Sequence, residues 1–235
     1  DRLERFRQGD EALLEAVARQ LAVRMSYEDA IRVAQAKTRP ERMARIRAET
    51  GASDGDAVVI TEFLKPGVEE ICDILPRPIA AVILALWRRS PRMQRWRRGM
   101  YVKTTTISGY LQLRMLAKLR RWRRGTWRYG HEQANIESWL TFVQQAALLD
   151  AGLAIEVAEC ATLLKGYGDT YKRGQKNYQA IVTQLVDPAL MPGRDAAADR
   201  ARIAQARAAA LADPEGASLA KLLKLPSTPP RLAAD

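Results

Sequence analysis

The chain has 235 residues, enough for one large or two small domains, and its 47% hydrophobic content is ordinary for a globular protein and excludes wholesale disorder. Its 38 Lys and Arg residues outnumber its 27 Asp and Glu residues, which gives a formal net charge of +11. The two cysteines and one histidine are too few to hold an iron–sulfur cluster or a structural zinc ion. This sparing use of cysteine indicates a reducing, cytoplasmic location. The longest apolar run, residues 79–87, is about half of a membrane span, so we expect no membrane partner.

Helical patterns dominate the N-terminal part of the chain. Asp10 is a candidate N-cap for a first helix that runs to about Met25, with hydrophobic residues recurring on one face. Ser26 and Asp29 have the spacing of a capping box, which would open a second helix. Pro40 lies where the first turn of a third helix would begin. We therefore expect three consecutive helices.

The next stretch contains the one candidate strand. Residues 51–56 are rich in Gly, Ser and Asp and indicate a loop. The β-branched run at 58–61 suggests a short strand, but no partner strand is evident. A short helix should begin near Pro66 and end before Pro76, and an apolar helix should span residues 78–89.

A basic connector is expected at residues 92–98, and an extended passage or a helix start at residues 104–108. From Gly109 the apolar spacing predicts a buried helix that continues as the cationic segment 118–128. The apolar residues predicted to be buried in this helix are Leu111, Leu113, Met115, Leu116 and Leu119.

The C-terminal part predicts helices near residues 131–149, 152–164, 170–186, 195–211 and 217–225. Asp169 is the candidate cap of the third of these helices, Asp187-Pro188 and Pro192-Gly193 should end it, and residues 226–230 should form a frayed tail. We therefore predict a mainly α fold, an irregular multi-helix domain of about ten helices with at most one short strand or hairpin. The helical domain should occupy residues 1–190, and residues 191–235 should add an Ala-rich helix, a short helix and a flexible tail.

The positive charge is concentrated in residues 74–131, which we call the cationic centre. Its 58 positions contain fifteen Lys or Arg residues and no Asp or Glu, so the rest of the chain has 23 basic and 27 acidic residues and a net charge of −4. Four of the five tryptophans also lie there, namely Trp87, Trp96, Trp122 and Trp127. The candidate partner-binding or anion-binding residues of this centre are Arg95, Arg97, Arg98, Arg120, Arg121, Arg123 and Arg124.

Three interpretations of the cationic centre remain open. Clustered arginines with interleaved tryptophans suit a nucleic acid, because guanidinium groups bind phosphates and indole rings stack on bases. Arginines beside tryptophans also commonly cover the ring, so the same residues can face solvent, an acidic subunit or an acidic redox partner. The phosphates of a nucleotide or coenzyme are the third possibility. Of these, a subunit-facing or solvated surface is favoured over nucleic acid.

A second candidate site is the glycine-containing segment at residues 165–170. Its candidate anion-binding residues are Lys165, Tyr167 and Asp169, because two glycines before a helix N-terminus can present backbone N–H groups to an anion. No strand precedes the segment and it lacks the order of a phosphate-binding loop. A tight turn capped by Asp169, with residues 171–173 exposed, is favoured.

The residues alone indicate a non-catalytic chain. His131 falls at an expected helix N-terminus, where a structural histidine is favoured over a general base. Because His131 is the only histidine, no serine- or cysteine-based catalytic triad can be assembled.

Several segments together resemble a known family. They are residues 27–42 (YEDAIRVAQAKTRPER), 62–71 (EFLKPGVEEI), 104–109 (TTTISG), 119–123 (LRRWR), 131–137 (HEQANIE) and 164–170 (LKGYGDT). These segments are similar to the C-terminal helical region of the β subunit of bacterial indolepyruvate oxidoreductases, a region that also ends the fused, single-chain versions. The resemblance covers residues 20–185. Its most specific parts are residues 62–70 and 165–170 in combination.

The resemblance implies a place in an oxidoreductase. The family oxidatively decarboxylates indolepyruvate and related arylpyruvates to aryl-acetyl-coenzyme A, and passes the electrons to ferredoxin. Thiamine diphosphate and iron–sulfur clusters are expected in other subunits or domains, and none in this segment. The resemblance therefore implies an accessory domain, inactive alone, whose partners are the catalytic subunit and possibly ferredoxin. A basic nucleic-acid-binding domain is the alternative.

Overall fold

The computed structural model is mainly α-helical, which confirms the predicted fold class. The residues that it describes are 2–7, 9–53, 55–96, 99–166 and 168–225. The chain divides into two compact units. Unit 1 contains residues 1–27 and 134–235, and unit 2 contains residues 28–133. The division at residue 190 stays a prediction, and that position lies inside unit 1.

The helices and strands alternate with turns and loops of different lengths. In chain order they are α1 (Glu11–Met25), α2 (Ala30–Lys37), α3 (Pro40–Thr50), β1 (Thr61–Leu64), α4 (Val68–Cys72), α5 (Arg77–Arg89), α6 (Pro91–Arg95), β2 (Met100–Lys103), α7 (Ile107–Lys118), α8 (Trp127–Ala147), α9 (Ala151–Glu159), α10 (Asp169–Ile181), α11 (Asp187–Ala189), α12 (Ala196–Ala212) and α13 (Ala217–Leu222). Short 3-10 turns occupy Leu3–Phe6, Leu119–Arg121, Arg123–Gly125 and Cys160–Leu163. A π turn, Val182–Val186, joins α10 to α11.

Unit 1 is organised around one large hydrophobic cluster. Residues from α1, α8, α9, α12 and α13 contribute to it, together with the π turn after α10. Trp139, Leu140 and Val143 of α8 are fully buried at its centre. The Ala-rich helix α12 turns Ile203 and Ala206 into this cluster and packs on α9, which confirms that its small side chains suit close packing against another surface.

Capping residues set several helix starts. The carboxylate of Asp10 accepts the backbone N–H of Ala12 at 2.7 Å, which confirms the cap of α1. The predicted capping box was wrong, because Ser26 ends α1 rather than opening α2. Asp29 itself caps α2 by accepting the N–H of Arg32 at 2.7 Å. Ser26 and Asp29 are both good N-cap formers, and their spacing produced the pattern of a capping box. Only Asp29, which directly precedes α2, caps that helix.

Unit 2 contains the two strands. β1 pairs with β2 in antiparallel register, from Thr61 opposite Lys103 to Leu64 opposite Met100. The rings of Phe63 and Tyr101 lie across the pair with their centroids 5.0 Å apart. The predicted strand at 58–61 overlaps β1 only at its last residue. Its partner could not be recognised because β2 is four residues long and begins 36 residues after the end of β1.

Helix α7 packs on α2 through small residues. Leu113 and Ala117 form a buried cluster with Ala34. A Cβ placed on Gly109 would lie 2.1 Å from the carbonyl oxygen of Lys103, so a glycine is required where the helix approaches the end of β2. α7 begins at Ile107, so the passage at residues 104–108 contains the helix start, which was one of its two expected forms.

The predicted burial was wrong for three of the five apolar residues assigned to this helix, of which Leu119 lies on the 3-10 turn after α7. Leu113 is buried and Leu116 is partly buried. Leu111, Met115 and Leu119 are exposed. The helix therefore has two apolar faces, of which one packs on α2.

Three other predicted helix boundaries differ from the structure. The connector at 92–98 contains a helix, because Ser90 caps α6. α8 begins at Trp127, so His131 is exposed inside a helix and not at its N-terminus. Pro188 does not end the helix that begins with α10, since the π turn carries the chain into α11. The predicted tail at 226–230 lies outside the described residues.

Candidate functional site

All of the net charge belongs to unit 2. Its residues, 28–133, include 22 basic and 11 acidic side chains, a net charge of +11, whereas unit 1 has 16 of each sign and a net charge of zero. The cationic centre lies entirely within unit 2. The charge asymmetry is therefore a property of one folded unit and not only of a stretch of sequence.

Most basic side chains of the cationic centre are exposed and have no ion pair. Arg97 and Arg98 lie outside the described residues, and Arg123 and Arg128 are paired. Within the described part of the chain, the other eleven have no carboxylate within 4.0 Å. They are Arg77, Arg88, Arg89, Arg92, Arg95, Lys103, Arg114, Lys118, Arg120, Arg121 and Arg124. Uncompensated like charges repel one another, so such a surface favours an anionic neighbour.

Arg123 differs from the other candidate arginines. Its Nε donates to a carboxylate oxygen of Asp29 at 2.6 Å, and Asp29 is only 3% exposed. Asp29 also caps α2, so this ion pair ties the 3-10 turn at Arg123–Gly125 to the start of α2. Arg123 is therefore a structural residue. Its neighbours Arg120, Arg121 and Arg124 remain candidates for partner binding.

Arg128 is the second paired arginine. Its Nη1 lies 3.4 Å from a carboxylate oxygen of Asp73, and its Nε lies 2.8 Å from Glu132. Burial of the Asp73 carboxyl, helped by nearby Glu70 and Glu69 and opposed by Arg128, raises its pKa to about 6. This partly buried group of charges joins the end of α4 to α8.

The remaining candidate arginines occupy two short segments. Arg95 is the exposed last residue of α6. Arg120 and Arg121 lie on the 3-10 turn that follows α7, and Arg124 lies on the next turn. Short 3-10 turns place successive side chains around the axis at about 120° intervals, which spreads these cations over an exposed surface.

The tryptophans of the cationic centre divide into two pairs. Trp87 and Trp127 pack against the cluster of Cys72, Ala80 and Leu84. Trp96 and Trp122 are exposed, Trp122 to 74% of its surface. Two of the four therefore serve the core of unit 2, and the other two are available to a partner.

The sequence pattern did not reveal the outer face of α7. Ile107, Leu111 and Met115 are 83%, 53% and 70% exposed, and they recur every four residues. Arg114 and Lys118 lie on the same side of the helix. The sequence did contain a sign that this side of the helix is exposed, namely two cations within an apolar stripe. A stripe that faces the core of a helical protein rarely carries unpaired charges.

The segment at residues 165–170 belongs to unit 1. Gly166 and Gly168 both adopt positive φ, 88° and 59°, which confirms a tight turn. The expected cap was wrong: Asp169 is the exposed first residue of α10, and its side chain caps nothing. Lys165 is exposed, and Tyr167 lies outside the described residues.

The residues after this turn are also more buried than expected. Tyr171 is 6% exposed, and Arg173 forms an ion pair with Glu215 at 3.0 Å. A Cβ on Gly174 would lie 2.0 Å from the carbonyl oxygen of Leu163, so α10 packs tightly against the preceding 3-10 turn. Gly166 and Gly168 thus provide the positive φ angles of the turn, and Gly174 allows the close packing of α10.

The cysteines provide no reactive thiol. Cys72 is in unit 2 and Cys160 in unit 1, and both are buried. Burial raises the pKa of both thiols, that of Cys160 to about 12. Within the described residues, no group of three or more His, Cys, Asp and Glu side chains is arranged to hold a metal ion. No described helix combines the length and the apolar character that a membrane crossing requires.

A surface depression of about 460 Å³ runs along α10. Its lining residues are Lys172, Gln175, Lys176, Gln179, Ala180 and Thr183. A single helical segment supplies all of them, whereas ligand sites usually converge from several elements. The cationic surface of unit 2 is therefore the stronger candidate site.

The sequence matches the family of unknown function DUF6537 over residues 1–184. The chain belongs to this family. The DUF6537 match includes all of unit 2 and, in unit 1, extends through α10 into the π turn. No curated protein and no solved structure matches the chain.

Proposed function

We propose that this chain is a non-catalytic accessory module of an oxidoreductase that acts on indolepyruvate or related arylpyruvates. Such enzymes decarboxylate a 2-oxoacid, transfer the acyl group to coenzyme A and pass electrons to ferredoxin. The observation that carries the proposal is the surface of unit 2, where eleven exposed cations of the cationic centre have no carboxylate partner among the described residues. The resemblance of the sequence to the indolepyruvate oxidoreductase β subunit indicates the kind of enzyme in which the module would act.

The two units suit a docking role. Unit 1 has a large core and balanced charge, so it can fold around its own contacts. Unit 2 has clusters of only three buried residues each, and much of its apolar surface is exposed. Exposed apolar side chains among unpaired charges are typical of a surface that binds another protein. The partner should present a complementary acidic surface, on the catalytic subunit or on ferredoxin.

The chemistry of the reaction belongs to other parts of the enzyme. Thiamine diphosphate and iron–sulfur clusters are the groups expected there. The residues present here do not fit an iron–sulfur cluster, because the two cysteines are buried in different units. We therefore assign no catalytic step to this chain. Its proposed location is the cytoplasm.

Co-purification tests the proposed function. The tagged chain, mixed with the neighbouring subunits of the oxidoreductase, should retain a protein that contains thiamine diphosphate and shows the visible absorbance of iron–sulfur clusters. Retention should weaken as the salt concentration rises, because exposed charges are screened. Failure to retain any such protein at low salt would refute the accessory role.

Whether ferredoxin is the acidic partner can be tested separately in the assembled enzyme. Reversal of Arg120, Arg121 and Arg124 to Glu should slow electron transfer, and more strongly at low salt than at high salt. Arg202, which pairs with Asp199 in unit 1, is the control site for a single reversal. An unchanged rate at low salt would remove ferredoxin as the partner of these arginines.

Nucleic-acid binding is the second candidate, and the exposed tryptophans favour it. Trp122 is 74% exposed, and its sequence neighbours Arg120, Arg121 and Arg124 have no ion pair within the described part of the chain. Indole rings stack on bases while guanidinium groups bind phosphates. Tight, salt-sensitive binding of arbitrary single strands by the chain, lost in Trp122→Ala, would favour this candidate over the accessory role.

A further inference from the structure

The outer face of α7 is a regular ridge. Ile107, Leu111 and Met115 follow one another in steps of four residues, and each step turns by about 40° around the helix axis. The ridge is about 16 Å long from its first residue to Lys118, on a rise of 1.5 Å per residue. A row of residues spaced by four is the surface that fits the groove of a second helix.

The charges of this face lie within the ridge. Arg114 and Lys118 are both within about 20° of Ile107 around the helix axis, on ideal helical geometry. Both are exposed and have no carboxylate within 4.0 Å in the described part of the chain. Helix α7 contains no Asp or Glu that could neutralise them. A partner that covers the ridge must therefore bring apolar side chains and carboxylates together.

The same arrangement argues against a membrane surface. A helix that lies on a membrane buries an uninterrupted apolar face and keeps its cations at the flanks. Burying the α7 ridge in lipid would carry Arg114 and Lys118 toward the hydrocarbon, at a high cost in desolvation. The ridge also argues against nucleic acid, because the aliphatic side chains of Ile107 and Leu111 have no counterpart on a phosphate backbone.

We propose that the outer face of α7, formed by Ile107, Leu111, Arg114, Met115 and Lys118, binds an acidic amphipathic helix of the partner protein. The apolar stripe of that helix packs on the ridge, and its flanking carboxylates pair with the two cations. This inference rests on the proposed function, since it names the surface through which the module binds its neighbour.

Methionine oxidation tests this contact on the unmodified chain. Met115 is 70% exposed in unit 2, and Met191 is 59% exposed in unit 1, so hydrogen peroxide should oxidise both in the free chain. With the thiamine-containing partner bound, oxidation of Met115 should slow by about 10-fold or more, while Met191 should react as before. Mass spectrometry of the digested chain measures both rates in one sample.

Two double variants test the two components of the face. Arg114→Glu with Lys118→Glu should weaken partner binding by about 30-fold or more. Leu111→Asn with Met115→Gln should have a comparable effect, because it removes the apolar ridge. Leu148→Asn, at an 87% exposed position of unit 1, is the matched control and should bind normally. If a double variant does not fold, the oxidation of the unmodified chain decides.

The outcomes separate this inference from the proposed function. A chain that retains its thiamine-containing partner while Met115 stays fully reactive would overturn the α7 contact and leave the accessory role standing. A chain that retains no such partner would overturn the accessory role itself. Protection of Met115 by phosphatidylserine–phosphatidylcholine vesicles or by single-stranded DNA, without the partner, would overturn the inference in favour of a lipid or a nucleic acid.

Discussion

The two units reach stability by different means. Unit 1 buries a continuous cluster that includes Trp139, and its buried Arg24 lies over that ring, 5.5 Å from the centroid. Unit 2 has two clusters of three buried residues, and it contains fifteen of the 22 large hydrophobic side chains that are exposed in the described part of the chain. Unit 2 also carries the whole net charge.

Polar contacts compensate for the small core of unit 2. Glu62 on β1 pairs with Lys37 of α2 and with Arg42 of α3, the latter at 2.6 Å. Arg123 pairs with the buried Asp29. Unit 2 thus places its apolar and cationic side chains mainly on its surface, and caps, a strand pair and ion pairs hold its backbone. Such a division suits a unit that completes its burial against a partner.

Core truncation should show the largest difference between the units. Leu140→Ala, at a fully buried position of unit 1, should lower the free energy of unfolding by about 4 kcal/mol, since it leaves a cavity in a dense cluster. Leu113→Ala in unit 2 should cost about 2 kcal/mol, because the small cluster around it lies near solvent. Urea unfolding followed by circular dichroism measures both. Equal costs would contradict the contrast between the cores.

The next largest loss of stability should follow from a substitution at Gly109, where two backbone segments pack closely. Gly109→Ala should cost about 2–3 kcal/mol, because its Cβ would lie 2.1 Å from the carbonyl oxygen of Lys103 and α7 would have to move. Gly125→Ala is the control, as nothing lies within 4 Å of its Cβ. The same unfolding measurement should show a nearly unchanged midpoint for the control. A neutral Gly109→Ala would mean that α7 has room to shift.

Two carboxyls of unit 2 should respond to pH in opposite directions. Burial raises the pKa of Asp73 from its ordinary 3.8 to about 6, so the folded chain holds this proton more tightly than the unfolded chain. Its contribution to stability is therefore lost as the pH rises from about 4 to about 6. Across that window the free energy of unfolding of Asp73→Asn should rise by about 3 kcal/mol relative to that of the unmodified chain.

The contribution of Glu62 to stability should depend on pH in the opposite direction. Burial alone would raise its pKa, but Lys37 and Arg42 outweigh burial and hold the pKa below the ordinary value. Its contribution is present above pH 4.5 and is lost as the pH falls through the lowered pKa. Glu62→Gln should therefore be less stable than the unmodified chain near neutral pH and approach it in acid. Urea titrations from pH 3 to pH 7 measure both variants, and parallel curves would contradict the assignment.

The arginines that follow α7 should show the smallest effects on stability, with one exception. Arg121→Glu and Arg124→Glu should leave the unfolding midpoint nearly unchanged, because neither side chain has an ion pair in the described part of the chain. Arg123→Gln should cost about 2 kcal/mol, since it leaves the buried carboxylate of Asp29 without its partner. Similar costs at all three positions would remove the distinction between structural and partner-binding arginines.

Local signals predicted most of the secondary structure. Asp10 and Pro40 mark helix starts through their own backbone and side-chain chemistry, so the first and third helices were predicted correctly. Long-range features could not be predicted in this way. β2, the partner of β1, begins 36 residues after the end of β1, and the ion pair between Arg123 and Asp29 joins positions 94 residues apart. Neither leaves a pattern in adjacent residues.

The sequence predicted which segments carry the candidate site residues, but not which of their side chains are paired, buried or exposed. The sequence located the cationic centre at residues 74–131 and the turn at residues 165–170. It did not separate Arg123, which is paired, from Arg121, which is exposed. It also took Leu111 and Met115 for core residues, because an apolar spacing is the same whether a helix faces the protein interior or a partner.

The helical class, the main caps and the concentration of charge can be predicted from the sequence, because these features depend on the chemistry of neighbouring residues. Which side of each helix is covered, and which charges are neutralised, is known only from the three-dimensional structure. Those outcomes depend on what lies opposite a residue in space. Within the cationic centre, α7 packs Leu113 and Ala117 on α2 and leaves Ile107, Leu111 and Met115 exposed.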